Sequence, residues 1–301
     1  MATASAPDSL AAVARGAREL LASAGVPSPD HDTVALLAHA LGMSLAECRT
    51  AIARGDAVPP GLAATGFPEL VARRASREPL QHLTGRAPFR GLELEVGRGV
   101  FVPRPETEVV AGAAIEAARA RADDREEPVV AIDLCAGSGA IGISLATEVP
   151  EVRVTLVELS AEAFPFLERN VAAQPDDVRS RLSALRADAR TALADLDGMV
   201  DVVACNPPYV PPGATPREPE VARHDPPVAL YGLGPDGLEV PRGVVAAAAR
   251  LLRTGGVFVI EHGDGQGEAV RVLLQDGTRW ASVSTRQDLT GRDRFAVATR
   301  A

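Results

Sequence analysis

Four consecutive residues, Asn206-Pro207-Pro208-Tyr209, follow an apolar run, Met199–Cys205, that reads as a buried β-strand. Each suits a planar nitrogen, an amide or a conjugated amine, as the reacting group. Such a nitrogen has a delocalised lone pair, so it is a poor nucleophile. Two acceptors must take its two hydrogens, hold it facing an electrophile and favour build-up of the lone pair. The Asn206 side-chain oxygen is one acceptor and the Pro207 carbonyl the other. Consecutive prolines, Pro207 and Pro208, stiffen the turn and remove competing N–H donors, while Tyr209 can stack on a flat group and exclude water. The chemistry is an in-line displacement helped by positioning and desolvation, with a near-attack distance of about 3 Å. No strong base is needed beforehand, because the substituted nitrogen becomes acidic and its proton leaves late. An ordinary proline-rich loop after a strand is the plain alternative.

A second constellation lies upstream. The strand Val129–Asp133 runs into Leu134-Cys135-Ala136-Gly137-Ser138-Gly139, where glycines allow a tight turn to bring backbone N–H groups against a ligand at a helix start. Glu158 ends the next strand, where a carboxylate can take both hydroxyls of an adenosine ribose. Gly137, Gly139 and Gly142 also spell the dinucleotide fingerprint, with an acid following at the expected remove. On glycines alone the two readings stand level. Asp133 separates them, since before the turn it could hold an ammonium group but would repel a pyrophosphate. That favours S-adenosylmethionine. Asp188-Ala189, after the third strand, offers an acceptor for an adenine amino group or an ordinary helix cap.

These loops need a frame. Strand and helix alternate with short connections from about residue 128: strands at 129–133, 152–158, 182–186, 199–205 and 257–261, helices at 139–147, 161–173, 241–252 and 266–274, and two closing strands near 280–285 and 294–299. The pattern is a doubly wound α/β sheet, whose ligands bind beyond the carboxyl ends of the strands. Residues 9–55 read as short amphipathic helices with Asp30 or Asp32 available as a cap, another helix follows at 65–77, and 85–98 alternates as a β-hairpin.

The 301 residues, 46% hydrophobic, are enough for a real core. Net charge is −9, and the first 100 residues balance 10 Arg against 10 Asp plus Glu, so the deficit lies wholly in 101–301. That opposes wrapping duplex nucleic acid and suits a basic protein partner. Cys48, Cys135 and Cys205 form no metal or disulfide pattern. Met1 to Leu10 lacks a basic flank followed by an apolar run, and no apolar segment is long enough to span a membrane, so a cytoplasmic location is expected.

The chain resembles the release-factor glutamine N5-methyltransferase family from about residue 75 to its end. The residues that carry the likeness are Arg77 to Gly85, Val102 to Glu108, the Asp133–Gly139 loop, Asn206–Tyr209, His224 to Pro226, Gly234 to Leu238, Glu261 to Gly263 and Gln266 to Glu268. Asn-Pro-Pro-Tyr alone is shared with adenine-N6 DNA methyltransferases, so Val102–Glu108 and the hairpin before it are the specific part. The resemblance implies a seven-stranded class I methyltransferase (Rossmann-like) sheet with a small helical N-terminal domain for substrate recognition at 1–84, a β-hairpin linker at 85–100 and a catalytic domain at 101–301. It implies S-adenosylmethionine as methyl donor and, as substrate, the glutamine of the Gly-Gly-Gln motif in peptide chain release factors. Asn206, Pro207, Pro208 and Tyr209 would bind that glutamine. Cys135, Ala136, Gly137, Ser138, Gly139, Glu158, Asp188, Ala189 and Asn206 would contact the cofactor. A monomer with no metal and no nucleic-acid partner is expected. Arg104 and Glu106, before a helix, suit either a structural salt bridge or a cofactor contact. Cys135-Ala136 replaces the family's more usual Gly-Thr, and Ala189 stands where some members carry an aromatic.

Overall fold

The computed structural model describes residues 9–123, 127–275, 277 and 279–301. Most of the stretch read above as lacking a leader therefore lies outside the described residues. The chain divides into two compact units, one holding residues up to Arg86 together with Arg217–His224, the other Ala87–Pro216 with Asp225–Ala301.

The first unit is helical: α1 (Leu10–Ser23), α2 (Pro29–Leu41), α3 (Leu45–Arg54), α4 (Phe67–Ala75) and α5 (Leu80–Thr84). Local chemistry sets several of the ends. Ser44 and Glu47 form a capping box at the start of α3, and Gly42 and Gly55 close α2 and α3 in the left-handed conformation. Leu21, Leu36, Leu37 and Cys48 are fully buried between the helices. The expected cap from Asp30 or Asp32 is not what forms. Ser28 occupies the cap position without a side-chain bond, and Asp32 is instead buried against Arg74, whose Nε donates to its Oδ2 at 2.7 Å. The same guanidinium donates to the Glu78 carbonyl at 3.0 Å and to Glu220 at 2.9 Å, and Arg77 adds two bonds of 2.7 Å to Glu220. Burial opposes ionisation of Glu220, but these arginines hold its carboxyl down at about 2.

A hairpin, β1 (Arg86–Phe89) and β2 (Leu92–Glu95), falls in the second unit from Ala87 onward, and that unit is built on a seven-stranded sheet. Its strands are β3 (Val129–Leu134), β4 (Val152–Glu158), β5 (Leu182–Arg186), β6 (Val200–Cys205), β7 (Leu252–Glu261), β8 (Trp280–Gln287) and β9 (Asp293–Arg300), in the order β5-β4-β3-β6-β7-β9-β8. All pairs from β5 to β7 are parallel, and β9 runs antiparallel to both β7 and β8. Along β3, Val129 and Ala131 join the core on one face, while Ile132 and Leu134 join that on the other. The first face is covered by α6 (Thr107–Asp123), α7 (Ala140–Glu148) and α8 (Phe164–Ala172), the second by the helices Glu239–Leu251 and Gly267–Gln275. Coverage on both sides explains why the central strands β3 and β6 read as nearly continuous apolar runs. β7 starts at Leu252, earlier than the expected 257, because the helix before it passes straight into the strand with no turn.

The winding reverses between β3 and β6, the point at which sheets of this kind open a ligand crevice. Leu134 of β3 pairs with Cys205 of β6, so both loops singled out above leave the sheet side by side.

The buried pairing of Arg74 makes a prediction for the helical unit. Arg74→Ala leaves Asp32 buried without its cation, which should cost about 3 kcal/mol. Urea unfolding followed by circular dichroism measures it, and a loss below about 1 kcal/mol would contradict a structural role. Glu220 has a depressed folded-state value, so its contribution is present above its ordinary range and fades as pH falls towards 2.

Candidate active site

Asp133 is buried at the end of β3, and its Oδ2 accepts the Gly142 N–H of α7 at 2.8 Å. Its Oδ1 is equally buried and has no hydrogen-bond partner among the described residues. Burial pushes this carboxyl up to about 7; the Gly142 bond pulls it down and the nearby Glu158 charge raises it further. The loop that follows turns through three left-handed residues, Cys135 (φ 62°), Gly137 (φ 57°) and Gly139 (φ 90°). A side chain at Gly139 would lie 2.8 Å from Ile143 and Leu167, whereas one at Gly137 would meet nothing within 4 Å. The Gly139 position is closed by packing and Gly137 faces open space, which leaves the Gly137 backbone approachable. Cys135 adopts the left-handed conformation although it is not glycine, at a cost of about 1 kcal/mol.

Glu158 ends β4 and clamps this loop: Oε2 accepts from Gly137 N at 2.8 Å, Oε1 from Ser160 N at 2.7 Å. Burial raises its pKa against these bonds. Ala136 and Ser138 are buried inside the turn. Sequence reasoning missed Asn170, whose Nδ2 donates to the Ser138 carbonyl at 2.9 Å and whose Oδ1 accepts from Glu95 N at 2.7 Å. Asn170 thereby ties the glycine loop to the hairpin. Beyond β5, Asp188 is bonded through both oxygens to the Arg190 guanidinium, at 2.9 and 2.6 Å, and Ala189 is buried.

At the end of β6, Asn206 is half-buried and Pro207 buried. Asn206 Nδ2 donates to Thr107 Oγ1 at 3.3 Å, and Thr107 Oγ1 donates to Glu261 Oε2 at 2.8 Å. The Tyr209 hydroxyl donates to the other oxygen, Glu261 Oε1, at 3.3 Å. One buried carboxylate at the end of β7 therefore braces both the first and the last residue of the tetrapeptide. Burial pushes Glu261 up to about 7; the Thr107 and Tyr209 hydroxyls and Arg294 lower it, and Glu106 raises it. Burial also raises the Tyr209 phenol. The Tyr209 carbonyl accepts from Gln266 Nε2 at 2.9 Å, and its N–H donates to the Leu230 carbonyl at 3.1 Å. No donor among the described residues pairs with Asn206 Oδ1 or the Pro207 carbonyl.

Arg104 forms a salt bridge with Asp225, and its guanidinium lies 4.9 Å over the Phe101 ring. Thr107 and Glu261 both stand in the stretches that carried the family resemblance, but nothing in their spacing assigned them to Asn206.

The comparisons with known proteins agree on what surrounds this geometry. Residues 12–85 match the family described as the PrmC N-terminal domain, and residues 119–218 that described as the methyltransferase small domain. The release factor glutamine methyltransferase of Streptomyces coelicolor is 48% identical over 97% of this chain and 98% of its own. The protein of the same name from Mycolicibacterium smegmatis is 45% identical over 93% and 94%. A 4-amino-L-phenylalanine/4-methylamino-L-phenylalanine methyltransferase of Streptomyces pristinaespiralis is 38% identical over 85% and 82%. Among solved structures, the 16S rRNA N2 G1207 methyltransferase of Thermus thermophilus superposes with a TM-score of 0.49 at 22% identity, over 72% of this chain and 50% of that one. With nearly half its residues identical across almost the whole length of both chains, the protein belongs to the release factor glutamine methyltransferase family.

Proposed function

We propose that this chain methylates the side-chain amide N5 of the glutamine in the Gly-Gly-Gln motif of peptide chain release factors, with S-adenosylmethionine as donor. The observation that carries the reading is the pair of open acceptors at 206 and 207: Asn206 Oδ1 and the Pro207 carbonyl, on a loop stiffened by two prolines. A primary amide presents two hydrogens in one plane, and two fixed acceptors are what such a group needs. Bonding both hydrogens leaves the nitrogen's face exposed and draws electron density towards it. Tyr209 is held in place at its hydroxyl by Glu261. No side chain here has to remove a proton first, because the nitrogen sheds it after substitution.

The residues present fit the donor. S-adenosylmethionine supplies, when bound, an electrophilic methyl group on a sulfonium and carries an ammonium and a ribose. Asp133 Oδ1, buried and without a partner, is an acceptor for the ammonium. Glu158 keeps lone pairs for ribose hydroxyls after its bonds to Gly137 and Ser160. Cys135, Ala136, Gly137, Ser138 and Gly139 offer a turn with an open side at Gly137. Any contact from Asp188 to adenine would share a carboxylate already bonded to Arg190, with Ala189 beside it.

A protein partner rather than nucleic acid fits the net charge of −9. No helix among the described residues is long and apolar enough to cross a membrane. The reading carries with it a cytoplasmic, monomeric enzyme whose helical unit serves substrate recognition. A second reading, methylation of a small aromatic amine, draws on the Streptomyces pristinaespiralis relative. An adenine amino group is a further conjugated nitrogen that the same loop suits.

A labelled-methyl assay separates them: a release factor should be labelled, and its Gly-Gly-Gln to Gly-Gly-Ala variant should not. Equal labelling of both, or labelling of 4-aminophenylalanine or an oligonucleotide in preference, would overturn the proposal. Asn206→Ala should lower turnover about 100-fold, the scale of losing one preorganised group at a reacting centre, with cofactor affinity nearly unchanged. Loss of cofactor binding on calorimetric titration would reassign Asn206 to the cofactor.

Asp133 sets a pH dependence. Its proton must leave for the carboxylate to receive a cation, and its value in the free protein is about 7. Cofactor affinity should therefore approach its full value by pH 8, fall about twofold at pH 7 and be about tenfold weaker at pH 6 than at pH 8, as one proton is displaced. In Asp133→Asn that dependence should vanish. Flat affinity between pH 6 and 8 in the unaltered protein would remove Asp133 from the binding set.

A further inference from the structure

An asparagine amide has two faces that differ only by exchanging oxygen and nitrogen. One orientation presents an acceptor to an incoming N–H; the other presents N–H to N–H and repels it. Something must choose between them. In this protein the choice is made outside the tetrapeptide. Above pH 7, where Glu261 is mainly ionised despite its burial, it has lone pairs but no hydrogen, so the Thr107 hydroxyl hydrogen must point at Glu261 Oε2, 2.8 Å away. The side of Thr107 Oγ1 that faces Asn206 is then lone pair only. It can be satisfied by Asn206 Nδ2, which lies 3.3 Å from it, and not by Oδ1. Thr107 is 3% exposed and Glu261 likewise, so water does not compete to scramble this order. Arg294 of β9 favours the ionised form of Glu261, and the Tyr209 hydroxyl fills the second carboxylate oxygen.

We propose that Thr107 and Glu261 are positioning residues that fix the Asn206 amide with its oxygen outward, as the acceptor for the substrate N–H. The inference rests on the reaction proposed above and adds the residues that make its first acceptor an acceptor. Neither residue touches the reacting atoms. Their effect falls on the fraction of bound substrate that is correctly aligned. A protein substrate is held mainly by contacts other than one side-chain amide, so misorientation lowers kcat more than it raises KM.

Three variants test it. Thr107→Val keeps the shape of the side chain but breaks the relay, and should lower kcat on a release factor 10- to about 100-fold, within the reach of a small positioning error. KM and the dissociation constant for S-adenosylmethionine should stay within about twofold. Thr107→Ser restores the hydroxyl and should recover most of the rate. Glu261→Gln, whose amide can donate to Thr107 as well as accept from it, should fall between them. A second measurement needs no turnover: the Asn206 side-chain amide signal in a nitrogen-15 NMR spectrum, identified by its loss in Asn206→Ala. Its hydrogens should exchange slowly in the unaltered protein and in Thr107→Ser, and fast in Thr107→Val. Failure of the unaltered protein to methylate a release factor would sink the proposed substrate, and the exchange pattern would still decide the positioning role. Thr107→Val with unaltered kcat, Thr107→Ser as slow as Thr107→Val, or equal exchange in all three proteins would overturn the inference.

Discussion

A primary amide can be held flat only by two acceptors set at a fixed separation, and both must come from backbone or side chains that cannot drift. The reversal of winding between β3 and β6 meets that demand. Leu134 and Cys205 pair across the two strands, so the glycine turn and the Asn-Pro-Pro-Tyr loop leave a rigid, doubly covered sheet from neighbouring positions. Everything added to the site braces those two exits. Glu158 and Asn170 hold the first through Gly137 and Ser138, and Thr107, Glu261 and Gln266 hold the second.

The site also concentrates buried carboxyls. Asp133, Glu158 and Glu261 lie at the ends of β3, β4 and β7, and burial raises the pKa of each. Their compensation is incomplete in the protein by itself, most plainly at Asp133 Oδ1. Buried charge of this kind works against folding and is retained where a cation or a donor arrives to meet it. The helical unit shows the contrast. There Arg74 and Arg77 meet Asp32 and Glu220 in full, and the result is structural.

Much of this is legible in the sequence. The strands at 129–134 and 200–205 announce themselves because the centre of a sheet covered on both faces needs nearly unbroken apolar runs. The loops could be read because glycine and proline carry backbone meaning wherever they stand. What stayed hidden was pairing at long range. Thr107 meets Glu261 across 154 residues of chain, and no periodicity reports such a contact. Asp32 looked like a helix cap because its neighbours do, and only the arrival of Arg74, 42 residues later, gives it another use. Asp188 carried two readings, and Arg190, two positions on, occupies the carboxylate that either would need.

The segment Arg217–His224 belongs to the helical unit although the chain on both sides of it belongs to the sheet. The N-terminal part is therefore not a cassette that recombination could exchange by splicing at one point near residue 86. These helices moved into another protein without Arg217–His224 would leave Arg74 and Arg77 without the Glu220 carboxylate they bond here. A chimera that exchanges the whole helical unit therefore carries three junctions, at 86/87, 216/217 and 224/225.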